Sequence, residues 1–226
     1  MTLLIKAARE IKNELRQFLN SDFTSRQTLG QVGFYRGKHV EFDWQTTLTE
    51  LGVTAVDPSE QHQIDLFYNS KGAVSIKVVG AAKNSAVIRM DFSKRGAIAA
   101  ESYKLRSISL DTTSLGNALR RYVEKNTWNR HFVILTKKFV ADGFSFVLSG
   151  SEAASIELSA NTKPGRFNIA DVSLSPSIKA EKSLEYRVIA GTSIEPYFVV
   201  HKFLPKPDGS WVLQKYAQKD IYDYIG

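Results

Sequence analysis

The sequence predicts an α+β fold: a twisted, mostly antiparallel central sheet with an amphipathic N-terminal helix and peripheral helices. Three observations predict it. Apolar residues recur at helical spacing near the N-terminus, and apolar and polar residues alternate with period two through much of the chain. A second helical stripe, Leu115, Ala118, Leu119, Tyr122 and Val123, interrupts the strands. With 226 residues, of which 43% are hydrophobic and 23% charged, the chain is long enough for one full-sized domain with a sizeable core.

The first helix is expected over Leu3 to Asn20. Leu4, Ala7, Ala8, Ile11, Leu15, Phe18 and Leu19 line one face, Lys6, Arg9, Lys12 and Arg16 take up much of the rest, and Asn20, Ser21 and Asp22 supply an end. Such a helix packs its apolar face on the core, and its basic flank is also suited to anionic lipid. In the run Val32-Gly-Phe-Tyr-Arg-Gly-Lys-His39, Phe34 and Tyr35 meet Arg36 and Lys38 across a glycine-containing turn. Aromatic rings beside cations suit a bilayer interface, and they equally suit a plain hairpin with one end packed. Val40 to Trp44 reads as the returning strand, and Thr46 to Leu51 as a short turn or helical piece.

Alternation over Ile64 to Tyr68, Val74 to Val78 and Ala86 to Phe92 predicts three connected antiparallel strands. Ser93 to Arg106 mixes helix formers with a strand-like end, which leaves its state open. Ser114 to Lys125 is expected to be helical, capped by Thr113 or Ser114. Strands follow at His131 to Val140, Phe144 to Leu148, Ile156 to Leu158, Phe167 to Ile169, Tyr186 to Ala190 and Tyr197 to Lys202. The stretch from Ser159 to Ser183 is long, small and polar, and carries Lys163, Arg166, Lys179 and Lys182. Pro205-Lys-Pro-Asp-Gly209 is the best linker signal, after which Trp211, Leu213, Ile221, Tyr222 and Tyr224 give a C-terminal tail enough apolar groups to dock.

Composition removes several kinds of chemistry. With no cysteine, disulfides, thiolate metal sites, a cysteine nucleophile and cysteine acylation are excluded. The N-terminal apolar patch is broken at once by charge, so secretion through a signal peptide is not expected. No stretch reaches the roughly 18 apolar residues of a spanning helix, so deep membrane contact would need amphipathic elements or a barrel. The net charge of +7, from 30 Lys plus Arg against 23 Asp plus Glu, favours anionic partners without choosing between phospholipid and nucleic acid. The basic residues are spread out with no nucleic-acid recognition signature, so no specific nucleic acid is expected.

No nucleotide-binding, zinc-protease, nucleophile-elbow or EF-hand motif occurs. The histidines, His39, His62, His131 and His201, show no ligand spacing, so no metal or cofactor is expected. Glu10 and Glu14 share a helical face but lie among Lys6, Lys12 and Arg16, which favours ion pairing over acid/base work. Asp57, Glu60, His62 and Asp65 imitate part of an active site without a nucleophile. The chain is therefore not expected to be an enzyme.

The order of elements resembles the pore-forming domain of gasdermins. The resemblance lies in the basic helix Leu3 to Leu19, the turn Phe34 to Lys38, Phe42-Asp-Trp-Gln-Thr-Thr-Leu48 before Leu51-Gly52, and Phe132-Val-Ile-Leu-Thr-Lys-Lys-Phe139. Gly143-Phe-Ser-Phe-Val-Leu-Ser149, Ile156-Glu-Leu-Ser-Ala160 and Leu184-Glu-Tyr-Arg-Val-Ile-Ala190 continue it. The length is similar to that of the compact bacterial and other microbial members. The resemblance implies an autoinhibited cytoplasmic monomer that becomes a homo-oligomeric pore in the inner membrane of the host cell and kills it, in antiphage defence.

It further implies a pore-forming part over residues 1–204, an exposed linker over 205–210 open to an activating protease, and an inhibitory tail over 211–226 built on Trp211, Leu213, Ile221, Tyr222 and Tyr224. Lys6, Arg9, Lys12, Arg16, Phe34, Tyr35, Arg36 and Lys38 are the expected contacts with an anionic phospholipid membrane. One departure stands out: compact bacterial members commonly have an acylatable cysteine near the N-terminus, and this chain has none. Ile64 to Glu101 and Phe144 to Tyr186 are the lengths expected to refold into membrane hairpins, although the same alternation marks an ordinary half-buried sheet. A soluble α+β binding module is the competing expectation, followed by an enzyme acting on nucleic acid and a phage-type structural protein.

Overall fold

A computed structural model describes residues 3–15, 17–20, 22, 25–36, 41–54, 58–82, 85–160, 177–190 and 193–216. It has the α+β architecture expected from the sequence, with two helices on a large, mostly antiparallel sheet. Helix α1 covers Leu3–Leu15 and α2 covers Thr112–Val123. The strands are β1 (Phe18–Leu19), β2 (Gln31–Arg36), β3 (Glu41–Thr47), β4 (Pro58–Asn69), β5 (Val74–Ala82), β6 (Ser85–Phe92), β7 (Ile98–Leu110), β8 (Phe132–Ala141), β9 (Gly143–Ser149), β10 (Ser155–Ala160), β11 (Ser177–Lys182), β12 (Leu184–Ala190), β13 (Ile194–Pro205) and β14 (Trp211–Lys215).

The larger sheet runs β1-β13-β8-β7-β9-β12, with β4 on β7, β14 on β13, and β2 joining β8 to β3. Strands β8 and β9 lie end to end along β7, meeting at Asp142, whose amide donates to the Tyr103 carbonyl at 3.0 Å. Every residue of β9 is buried, which is why Phe144, Phe146 and Leu148 alternate with residues that are themselves covered. A second sheet, β11-β10-β6-β5, is antiparallel throughout.

Several sequence expectations change. Helix α1 ends at Leu15, before the expected Asn20, and Phe18 and Leu19 pair with Phe198 and Tyr197 of β13 instead. Its apolar face does what the spacing predicts: Ala7, Ala8 and Ile11 pack over Ile98, Ala100, Phe144, Phe146 and Tyr197. The expected three-strand meander is not formed. Strands β5 and β6 pair as a hairpin, but β4 pairs with β7 in the other sheet, and the undecided stretch from Ser93 supplies the start of β7. Strand β3 continues to Thr47, so the Thr46 to Leu51 piece is a strand end followed by a turn.

Phe34 and Tyr35 lie within β2 rather than at a turn tip. Gly33 is a close-approach position: a Cβ there would lie 2.1 Å from the Asp43 carbonyl oxygen, at the irregularity in the β2–β3 register. The residue capping α2 is Asp111, two residues before Thr113 and three before Ser114, the expected caps. Its carboxylate accepts from the Thr113 and Ser114 amides at 3.0 and 3.3 Å and from the Ser114 hydroxyl at 2.6 Å. These bonds favour the ionised form, and the Ser114 hydroxyl does most to hold its carboxyl below the usual range. Asp111→Ala should lower the melting temperature while Asp111→Asn retains most of it, as followed by circular dichroism.

Candidate functional site

Three parts of the molecule form the candidate site: a lysine of α1 caged by aromatic rings, a pair of folded-back hairpins, and the C-terminal strand, whose following residue Tyr216 joins the cage. The cage holds Lys12. Although it follows the basic pattern of the helix, its side chain is buried at 5% exposure, and its Nζ lies 4.6, 4.9 and 5.1 Å from the ring centroids of Phe18, Tyr35 and Tyr216. A desolvated ammonium against aromatic faces is held by the ring quadrupoles. The cage brings together β1, β2 and the residue after β14, and Tyr216 is held by its amide donating to the Val200 carbonyl at 3.0 Å. Burial pushes the Tyr35 phenol above its ordinary pKa, and the Arg9 guanidinium pulls against it.

The hairpins form the second part. The first leaves the large sheet as β4, bends at residues 70–73, continues as β5, returns as β6, bends again at 93–97 and rejoins the large sheet as β7. The second repeats the plan, with β9 continuing as β10 and β11 returning as β12. Their outer halves lie side by side through β6 and β10, where Ile88, Met90, Phe92, Ile156 and Leu158 are buried. The bends use left-handed backbone, at φ 69° and 80° for Gly72 and Gly96 and φ 53° for Ser183. Among the described residues, the exposed large apolar side chains are Phe67, Val78, Val79 and Ile178, all of them on these hairpins.

Helix α1 spans the bends of the first hairpin. Glu10 accepts from the Tyr68 hydroxyl and the Ser70 hydroxyl, each at 2.7 Å, so these bonds account for it where ion pairing was expected. A groove of about 530 Å³ opens between the helix and the bend, lined in part by Glu10, Glu14, Phe67, Lys71 and Lys94.

The C-terminal part is a strand. Trp211 to Lys215 pairs in register with Pro205 to His201, and the expected linker is the tight turn of that hairpin, with the Gly209 amide donating to the Lys206 carbonyl at 2.9 Å. Residues 205–210 are exposed. Trp211 stacks on Phe203 at 5.1 Å, Leu213 packs beneath α2, and Arg120 Nε donates to the Trp211 carbonyl at 3.0 Å. Cutting the turn therefore leaves β14 held by its ladder and by this packing.

Of the remaining expected contacts, Lys6 is exposed, Arg9 half-buried and Arg36 exposed in an ion pair with Asp43. Phe34 is half-buried with its ring 4.9 Å from Phe132. Arg16, Lys38, Ile221, Tyr222 and Tyr224 lie outside the described residues, as do His39, Asp57 and the expected strand Phe167 to Ile169. Glu60 is exposed and paired with Arg106 at 3.2 Å. Among the described residues there is no group of three metal-ligating side chains, and no helix is long and apolar enough to cross a membrane.

No family model and no curated protein matches the chain.

His201 lies on β13, beside β8. Its Nδ1 lies 2.7 Å from Thr136 Oγ1, and burial, with a smaller contribution from Lys215, pushes its pKa down to about 4. An unfolded chain takes up this proton near pH 6.5. Between that pH and about 4 the unfolded state binds more protons, so the stability contributed by neutral His201 is complete above pH 6.5 and is lost as the pH falls to about 4. Urea midpoints at pH 7 and 4.5 should differ more for the wild type than for His201→Gln.

Proposed function

We propose that the chain is an autoinhibited pore-forming protein, which oligomerises in a membrane after activation and permeabilises it. The observation that carries this reading is the pair of adjacent hairpins, each folded back at both limbs, with α1 laid across the bends of the first. Backbone groups entering hydrocarbon must pair with one another, so strands enter a bilayer as a closed barrel. A tilted strand needs about 9 to 11 residues to span it. The outer strands have nine residues in β5, eight in β6 and six each in β10 and β11, which leaves most of them short. Unbending adds length by joining each to its inner partner. The first hairpin then offers limbs 58–82 and 85–110, and the second draws on β9, β10, β11 and β12.

The edges of the outer sheet support assembly of many copies. Strands β5 and β11 are its two ends, and they carry Val78, Val79 and Ile178 exposed. Unpaired strand edges invite pairing with another chain, and an edge of one kind meeting an edge of the other is a head-to-tail contact, the type that builds a ring when its rotation closes. The cage supports autoinhibition, because Tyr216 ties the C-terminal segment to Lys12 of α1. Lys6 and Arg9 remain as the helix's candidate lipid contacts, each worth on the order of 1 kcal/mol near an anionic surface.

Lys12, expected among the lipid contacts, is enclosed by the cage in this resting structure. Neutralising Lys6 and Arg9 together should weaken binding to anionic vesicles in a flotation assay and leave the fold intact, with the loss greatest at low salt. Wild-type flotation of that double variant would remove the two residues from membrane contact. Permeabilisation itself is read by dye release from anionic vesicles with the resting protein and with protein whose C-terminal segment has been removed. Absence of release in the second case favours a water-soluble binding module.

A further inference from the structure

We infer that α1 and the bend of the first hairpin open as a single unit, with Glu10 as the residue that couples them. The inference deepens the proposed function, and its consequence for pore assembly rests on that reading. The Glu10 carboxylate accepts from Ser70 Oγ at 2.7 Å, and the same hydroxyl accepts from the Ile98 amide at 3.0 Å. The Ser70 amide in turn donates to the Ile98 carbonyl at 3.0 Å. Ser70 is the first residue of the outgoing bend and Ile98 the first of β7 on the returning limb, so one hydroxyl links the helix to both limbs where they turn. Tyr68, on the outgoing limb, donates its hydroxyl to the same carboxylate oxygen at 2.7 Å.

An independent contact lies at the other bend. A Cβ on Gly96 would lie 3.3 Å from Leu3 Cδ2, so the start of α1 packs against the left-handed turn of the returning limb. The helix thus touches the outgoing bend through Glu10 and the returning bend through Leu3, one polar contact and one apolar. Straightening extends the β4–β7 ladder, which ends at Asn69 and Ala99, through Ser70 and Ile98, so the Ile98 amide passes from the Ser70 hydroxyl to the Ser70 carbonyl and that hydroxyl loses the geometry that presents it to Glu10. Conversely, withdrawal of α1 leaves the Tyr68 and Ser70 hydroxyls without their charged acceptor. Bonds to an ionised acceptor are stronger than neutral ones, so each event lowers the cost of the other. A signal that loosens α1, including loss of the Lys12 cage, is thereby passed to the hairpin without contact at the bend.

Hydrogen exchange of the full chain, read by mass spectrometry without any membrane, tests the coupling apart from pore formation. Glu10→Gln should reduce protection in α1 and at residues 70–73 and 93–98 together, by a common factor of roughly tenfold. Glu14→Gln, on the same groove but without those hydrogen bonds, should leave both segments as they are. Combining Glu10→Gln with Ser70→Ala should give less than the sum of the two single effects. Loss of protection confined to α1, or additive effects in the double variant, overturns the inference whether or not the protein releases dye.

Discussion

Lys12→Ala should make the intact chain permeabilise anionic vesicles at protein concentrations roughly tenfold lower than the wild type requires. The ammonium sits between Phe18, Tyr35 and Tyr216, and a desolvated cation–π contact is worth about 2 kcal/mol or more. Removing it separates α1 from both β2 and the C-terminal segment at one position. The direction distinguishes Lys12 from its neighbours: neutralising Lys6 and Arg9 should weaken membrane engagement, whereas removing Lys12 should ease it. Lys12→Arg keeps the charge and the aromatic contact and should stay close to wild type. A fall in dye release with Lys12→Ala would place Lys12 among the lipid contacts instead.

Glu195→Ala should lower the melting temperature by roughly 6–20 °C, the shift expected for about 3–5 kcal/mol in a chain of this size. Glu195 is nearly buried, its side chain 7% exposed, and Oε1 pairs with Lys138 Nζ at 2.7 Å. Oε2 accepts from the Gln27 amide, and Lys138 Nζ donates also to the Gln27 carbonyl at 2.9 Å. The side chain of Asn20 adds a bond to the Glu195 carbonyl at 3.0 Å. This cluster fixes the connection between β1 and β2, and hence two walls of the Lys12 cage. Removing the carboxylate leaves a half-buried ammonium without its counter-charge and the Gln27 amide without its acceptor. Lys138→Met with Glu195→Leu should cost less than Glu195→Ala alone, because paired apolar replacement leaves no uncompensated charge. A larger loss in the double variant, measured by calorimetry, would contradict that account.

The parts of this structure legible in the sequence are the local ones. The α1 face and the α2 stripe are set by spacing within a few turns, and the strands of β8, β9 and β13 by short apolar runs. Strand partnership was not legible. Strand β4 meets β7 only across the inserted β5–β6 hairpin, whereas alternation along the chain points to a neighbour-to-neighbour meander. The α2 cap is not legible, because Asp111, Thr112, Thr113 and Ser114 are all good capping residues and only the backbone decides among them.

At the site, the basic residues of α1 look equivalent in sequence. Lys12 differs because rings from positions 18, 35 and 216 surround it, a convergence that no local signal records. Glu10 follows the same logic, with partners at 68 and 70. The proline, aspartate and glycine at 206–210 signal a break in the strand pattern, but those residues mark a hairpin turn as well as a linker. Trp211 and Leu213 were legible as docking groups; that they dock as a strand was not.

Because the chain has no cysteine, the release of β14 can be placed under redox control. Lys202 and Gln214 are register partners on β13 and β14, so Lys202→Cys with Gln214→Cys provides a single cross-link. The decisive measurement is dye release from anionic vesicles by this variant after a protease cut engineered into residues 206–210, compared between oxidised and reduced protein. The account predicts no release while the disulfide holds, then release together with membrane-bound oligomers once reduction lets the C-terminal segment leave. Intact vesicles after that segment has been shown to depart would contradict it.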